Sequence, residues 1–405
     1  MDVSIKRVIA SRIKNARSFF IITALYGLIL RFYHISDAIP IAYKNILQAH
    51  SHVTFLGWGF LAVISLIGLV FYPKKATQSI FIKRLFNIMT FALIGMLISF
   101  PLQGYKLFSI VFLSVFLITS YVYLVNMYRK LKSIERISAK FIRTGIAYYF
   151  LSSLAIWTVA FITSKYGKID VYYHTVYFYL HFLYNGFFVF TLFGLLIAYF
   201  EKHNIQFNKK NVIYFYWFTN SALIPAYVLS LYWKTMPNYI YAIGFIAVLL
   251  QLISLKFLML MLKELFQSIK EKHIKWIAVF VFSSYVLKIL LQFLGAFPSL
   301  VKIALQYKSY FVIGYLHLFT LGFMSMFIIL LLKLIPKKVL SKLGINLLML
   351  GILLSELLLF AQGELLVFSN TMLPKIDLLL FLVSILMPLG LIIIHVTLLL
   401  RKRRR

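Results

Sequence analysis

Long apolar segments, each close to the length that crosses a bilayer, recur from one end of this sequence to the other. A helix needs about 20 apolar residues to span the hydrocarbon core. Segments of that kind fall at 17–34, 47–72, 83–100, 105–128, 144–163, 174–200, 211–233, 238–262, 276–297, 309–332, 343–363 and 377–400. In hydrocarbon every backbone N–H and C=O must be paired inside the segment or barrel that carries it, so segments of this length are helices. Composition agrees: only 13% of residues are charged and mean hydropathy is +0.92, against about 25% charged in a soluble domain. The expected fold is an all-α polytopic membrane protein, a single twelve-helix transmembrane domain over residues 1–405. The tightest division lies between the third and fourth spans, where only Pro101 to Lys106 intervene.

The loops give the chain an orientation. Of 42 Lys and Arg, 31 fall in the two termini and the loops on their side, eight fall on the opposite side, and Arg31, Lys256 and Lys288 fall within spans. Cytoplasmic loops collect Lys and Arg because they are poorly translocated. Both termini are therefore expected in the cytoplasm, with the chain in the cytoplasmic (inner) membrane. The basic N-terminus runs straight into the first span with no small-residue cleavage site, as a retained start-transfer helix does. The net charge of +32 is then a product of topology, and it attracts anionic head groups of the lipid bilayer. It gives no support to a nucleic-acid partner. The absence of cysteine excludes disulfides, thiolate metal sites and thioether-attached heme.

Three short segments share one pattern. The second span has His52 followed by Gly57 and Trp58, the sixth has His181 followed by Gly186 and Phe187, and the tenth has His317 followed by Gly322 and Phe323. Each reads histidine, four residues, glycine, aromatic, and each lies four spans after the last. The intervals are 129 and 136 residues. Such repetition points to three four-helix arcs around a pseudo-threefold axis. At 1.5 Å per residue the histidines lie roughly 12, 16 and 14 Å past the nearest outer charge, Lys44, Asp170 and Lys308. Neutral imidazoles at one depth are suited to grip heme iron or copper. A glycine one turn below would admit a flat macrocycle or a neighbouring helix. A lone membrane histidine is also commonly a helix-to-helix hydrogen bond.

With these residues in view, the chain resembles the heme–copper oxidase subunit I superfamily, including its nitric oxide reductase and C-type branches, and the related NnrS family. His50, His52, Gly57 and Trp58 resemble the HxHxxxxG[FW] signature of NnrS proteins. His317, Thr320, Gly322 and Met324 resemble that family's HxxTxGxM, and His317 also resembles the low-spin heme ligand of the oxidases. The segment His181 to Phe187 is similar to the copper-ligand region of the reductases. The resemblance implies a b-type heme held between the second and tenth spans, His181 as a third ligand to heme or copper, and respiratory-chain subunits or a cytochrome as partners. Two departures stand out. Tyr315 occupies the place of the active-site heme ligand, and residues 211–233 contain no histidine for copper. A complete binuclear centre is therefore not expected. On the second span the ligand is open: residues two apart on a helix diverge by about 200°, the internal repeat favours His52, and the oxidase pattern favours His50.

Other polar groups fall inside the spans. Glu356 and Lys288 are expected to form a proton path or an ion pair, since intramembrane charge faces a partner or water. Arg31 has the position of a propionate ligand or of an interfacial snorkel. Two functions follow. The first is a heme-bearing membrane protein for electron transfer or a nitric oxide- or oxygen-linked respiratory role. The second is a secondary transporter of a small solute, for which twelve spans are common but two-fold repeats and matched broken helices are typical.

Overall fold

The computed structural model of the chain describes residues 3–72, 79–167, 169–337 and 339–403. Lys74, Lys75, Lys168, Lys338, Arg404 and Arg405, which enter the loop count, lie outside them. Among the described residues every regular element is helical. Eleven helices are long and apolar enough to cross a membrane, and a bent pair supplies a twelfth candidate. In order they are α1 (Val3–Phe32), α2 (Tyr43–Phe71), α3 (Ile80–Gln103), α4 (Leu107–Lys132), α5 (Ile137–Tyr166) and α6 (Asp170–Lys202). The bent pair is α7 (Lys209–Leu223 and Pro225–Leu231). It is followed by α8 (Asn238–Ser268), α9 (Lys272–Leu294), α10 (Phe311–Leu334), α11 (Lys342–Ser369) and α12 (Ile376–Leu400). Each expected segment has its helix, and the fold is that of a multi-pass membrane protein. Large apolar side chains point outward, among them Phe91 at 63% and Leu102 at 75% exposure, as lipid permits and water does not.

The chain packs as two compact units, residues 1–133 with 331–405, and residues 134–330. In the first, the core forms where α1 meets α2, with Trp58 stacked on Phe20 at 4.5 Å between centroids. Its α11 and α12 approach closely through glycines: a Cβ on Gly344 would stand 2.6 Å from the carbonyl oxygen of Gly390. Small residues allow this backbone proximity, on which helix association in lipid depends. The second unit is centred on Phe193, which lies 5.3 Å from the ring of Tyr285 and 5.4 Å from that of Phe327.

Prolines interrupt the helical ladder within spans at Pro101, Pro225 and Pro388, and at the first two a side chain from another span takes a freed carbonyl. Pro101 has no N–H for the oxygen of Leu97, and the Tyr26 hydroxyl of α1 donates to it at 3.0 Å. Pro225 ends the α-helical part of α7; the chain continues as a 3₁₀ turn bent by 43°. Tyr227 N–H then bonds Ile224 rather than Leu223, and His181 donates to the Leu223 oxygen at 2.8 Å. A backbone group left unpaired in hydrocarbon costs several kcal/mol, roughly, which makes these two side chains part of the fold. The apolar run at 211–233 is expected as one span; its helix breaks at Pro225 because proline removes a ladder donor and crowds the preceding turn.

The short link between α3 and α4 turns at Gly104, whose φ of +63° is open to glycine at little cost. Asn45 donates to the Pro101 oxygen beside it at 3.2 Å. At the far end of α11, Gln362 bonds Thr371 and Leu373, closing the turn into α12.

Candidate functional site

π-Helical backbone makes up well under 1% of residues in ordinary proteins. Among the described residues three π segments occur: Val53–Phe60 in α2, Phe182–Phe188 in α6 and Leu318–Ser325 in α10. Each begins at the residue after a repeat histidine, His52, His181 and His317. In each the repeat glycine is the fifth residue and the aromatic the sixth. Such bulges concentrate at functional sites, and the sequence pattern thus recurs as a backbone pattern.

The glycines have one common role. A Cβ on Gly57 would come within 3.0 Å of Phe19 in α1, on Gly186 within 2.5 Å of Tyr148 in α5, and on Gly322 within 2.8 Å of Ser284 in α9. Every π segment therefore packs on the helix just before it in sequence. Of the two uses expected for the glycine, the described contacts serve the neighbouring helix.

In the first unit the two α2 histidines face different surroundings. His52 donates from Nδ1 to the Gln48 oxygen at 2.8 Å, and its Nε2 accepts from the Tyr105 hydroxyl at 2.7 Å. Its ring also stacks on Phe100 at 4.8 Å. Both nitrogens are engaged. His50 turns toward α1, where its Nδ1 meets the Thr23 carbonyl oxygen at 2.8 Å. A carbonyl only accepts, so the proton sits on Nδ1 and the lone pair on Nε2. Among the described residues Nε2 of His50 takes no hydrogen bond. Metal-bound histidines commonly carry this arrangement, one N–H given to a backbone carbonyl and the other nitrogen kept for the metal.

The α1 face that receives His50 is built at a spacing of four: Thr23, Gly27, Arg31. Gly27 leaves room for the imidazole, because a Cβ there would lie 3.1 Å from His50 Cε1. Arg31 acts electrostatically on His50 and on the buried Glu356 of α11. An imidazole oriented in this way, with Arg31 in electrostatic reach, is an arrangement that could hold a heme iron. Thr23 and Gly27 carried no sequence signal alone; their spacing with Arg31 did, once α1 is helical.

The second unit holds the other candidates. His181 is buried, donates from Nε2 to Leu223, and its Nδ1 lies 3.4 Å from Asn185 Nδ2. Both nitrogens are thus taken by protein groups. Asn185 Oδ1 in turn accepts from the Nζ of Lys288 in α9, also buried. Lys288 and Glu356 are expected to form a proton path or an ion pair. The ammonium instead bonds an amide and lies 5.8 Å from the Tyr285 ring centroid, and no described carboxylate forms an ion pair with it. His317 closes the α-helical part of α10. Two residues before it, Tyr315 lies within electrostatic reach of Tyr184 and Tyr285. Tyr184 stacks on Phe319 at 5.0 Å, joining the π segments of α6 and α10.

Among the described residues no group of three or more His, Asp or Glu is placed to hold a metal ion; a heme iron needs only one or two imidazoles. Comparison with protein-family models and with curated proteins finds no match to this chain.

Proposed function

We propose that this chain is a heme-bearing integral membrane protein built from three four-helix repeats, related to the heme–copper oxidase and NnrS families without their complete binuclear centre. The iron ligand that the local geometry favours is His50 of α2; His317 of α10 enters as what the family resemblance implies. The observation that carries the reading is His50: proton fixed on Nδ1 by the Thr23 carbonyl, Nε2 without a hydrogen bond, Gly27 beside the ring and Arg31 nearby. His52 is the weaker ligand, because Tyr105 occupies its Nε2. His181 is weaker for copper, because Leu223 and Asn185 occupy its ring. A b-type heme would supply one-electron redox chemistry there; the chain's residues orient the imidazole and supply a cation for the propionates.

Optical spectra of protein purified from heme-supplied membranes test this. A Soret band and a pyridine hemochrome of b type are expected, retained in His52→Ala and lost in His50→Ala and His317→Ala. A colourless wild-type protein overturns the reading, and loss on His52→Ala but not His50→Ala overturns the ligand choice.

One observation favours a secondary transporter: the break in α7 at Pro225, beside a polar cavity, resembles the discontinuous helices around which transporters bind solutes. Among the described residues no other helix pair is bent so sharply at a break, so an inverted repeat has no second half and this reading stands second. Solute uptake by heme-free proteoliposomes would reverse the order.

A further inference from the structure

Lys288 lies deep in the second unit, and its surroundings have a chemical bias independent of any heme. It is 2% exposed, and its only hydrogen bond among the described residues is to Asn185. An ammonium has three donors, so two remain. A narrow cavity opens beside it, lined by Lys288, Asn185, Thr219, Gln251, Ser254 and Tyr285 together with apolar side chains. Two hydroxyls border it: that of the buried Thr219, which has no partner among the described residues, and that of Tyr285. Ser254 is already bonded to Gln251. Gln251 Oε1, on a side chain only 6% exposed, has no donor among the described residues, and the hydroxyl oxygens can accept as well as donate. An amide can turn its N–H₂ inward where its oxygen finds no donor.

The cavity wall thus holds an ammonium that no described carboxylate neutralises, beside two hydroxyls able to donate. A buried cation in a membrane helix faces a partner charge or water, and burying it alone is costly. We propose that the cavity beside Lys288 binds a small monovalent anion of halide or nitrite size, held by the Lys288 ammonium and the hydroxyls of Thr219 and Tyr285. The cavity is too narrow for an organic solute, and the single charge selects against divalent anions.

The test uses the full-length protein in detergent, with chloride and then nitrite titrated against gluconate at constant ionic strength. Binding is read by tryptophan-fluorescence thermal unfolding and by isothermal calorimetry. A saturable rise in Tm and a saturable heat are expected for chloride or nitrite and not for sulfate. Lys288→Gln, which can still bond Asn185, is expected to abolish both. Should that variant fail to fold, Thr219→Val and Tyr285→Phe provide the check, each weakening the anion response several-fold. No anion dependence in the wild type, or an undiminished response in Lys288→Gln or in the paired hydroxyl variants, overturns the proposal. Such a result would make the cavity a water site and leave the heme reading untouched, since neither His50 nor His317 enters the measurement.

Discussion

His50, half-buried, and His181, buried, are imidazoles on helices that carry the same repeat, yet their surroundings differ in the one respect that matters to a metal. His50 in the first unit is oriented by one carbonyl and keeps a nitrogen with a lone pair. His181 in the second unit spends both nitrogens on the fold, one on the carbonyl that the α7 break releases and one on Asn185. The comparison teaches that a histidine in a helix becomes ligand or structural bolt according to its second nitrogen. That nitrogen's partner is set by backbone events on other helices. Pro225, more than forty residues from His181, decides what His181 does.

The strongest way to break the comparison is to delete each ring in turn. His50→Ala is expected to remove the heme spectrum entirely while the protein remains folded. His181→Ala is expected to keep the spectrum and lose stability. Spectra and size-exclusion profiles taken together decide it, and a spectrum that survives the first and vanishes in the second would invert the assignment.

The next effect should be steric and common to both units. Gly186→Leu would force a side chain where even a Cβ comes within 2.5 Å of Tyr148, and Gly57→Leu would do the same against Phe19 and Val53. Overpacking of this kind costs about 1–3 kcal/mol and sometimes more. Both variants are expected to unfold well below the wild type. Unchanged thermal unfolding of Gly186→Leu would show that the α5–α6 contact is loose.

Much of this was legible in the sequence, and the rest was not for physical reasons. Span positions follow from hydropathy, which depends on side chains alone, so α2 through α12 lie close to where the apolar runs lie. The repeat of His, Gly and aromatic also announced itself, and the π segments begin where it predicts something unusual. A π bulge, however, is a backbone register, and no residue type specifies it. The choice between His50 and His52 rests on which carbonyl or hydroxyl each ring meets, namely Thr23, Gln48 and Tyr105, and those meetings are made by packing between helices. Lys288 could be recognised as a buried charge; that its partner would be Asn185, inside a quoted motif but unremarked, required the placement of α6 beside α9. The break in α7 was visible as Pro225, yet a proline near the end of an apolar run reads equally as a loop start.

A smaller effect sharpens the second half of the comparison. His181→Phe fills a similar volume but removes the donor to Leu223, leaving a carbonyl unpaired at the bend of α7. Loss of one partner from a buried bond costs about 1–3 kcal/mol. The expected outcome is a lower unfolding temperature with the heme spectrum intact. His181→Gln, with a donor of comparable reach, should recover part of the loss. If His181→Phe is as stable as the wild type, the Leu223 oxygen has another donor and the structural role of His181 falls.

The smallest effect concerns the histidine that neither role has claimed in full. Tyr105→Phe removes the hydroxyl that donates to His52 Nε2 and leaves the ring contact with Phe100 in place. A single neutral hydrogen bond contributes roughly 0.5–1.5 kcal/mol, so a slight fall in unfolding temperature is expected. The informative readout is optical. Freed of Tyr105, His52 has the same electronic arrangement as His50: a proton held on Nδ1 by a backbone carbonyl and a lone pair on Nε2. If His50 alone is the α2 ligand, the heme spectrum of Tyr105→Phe should match the wild type, because the 200° or so between residues two apart on a helix directs the freed nitrogen elsewhere. A shifted Soret band in Tyr105→Phe, or recovery of heme in the His50→Ala and Tyr105→Phe double variant, would mean that the π segment beginning at Val53 lets α2 rotate enough to exchange one histidine for the other. The bulge would then be a means of choosing between ligands.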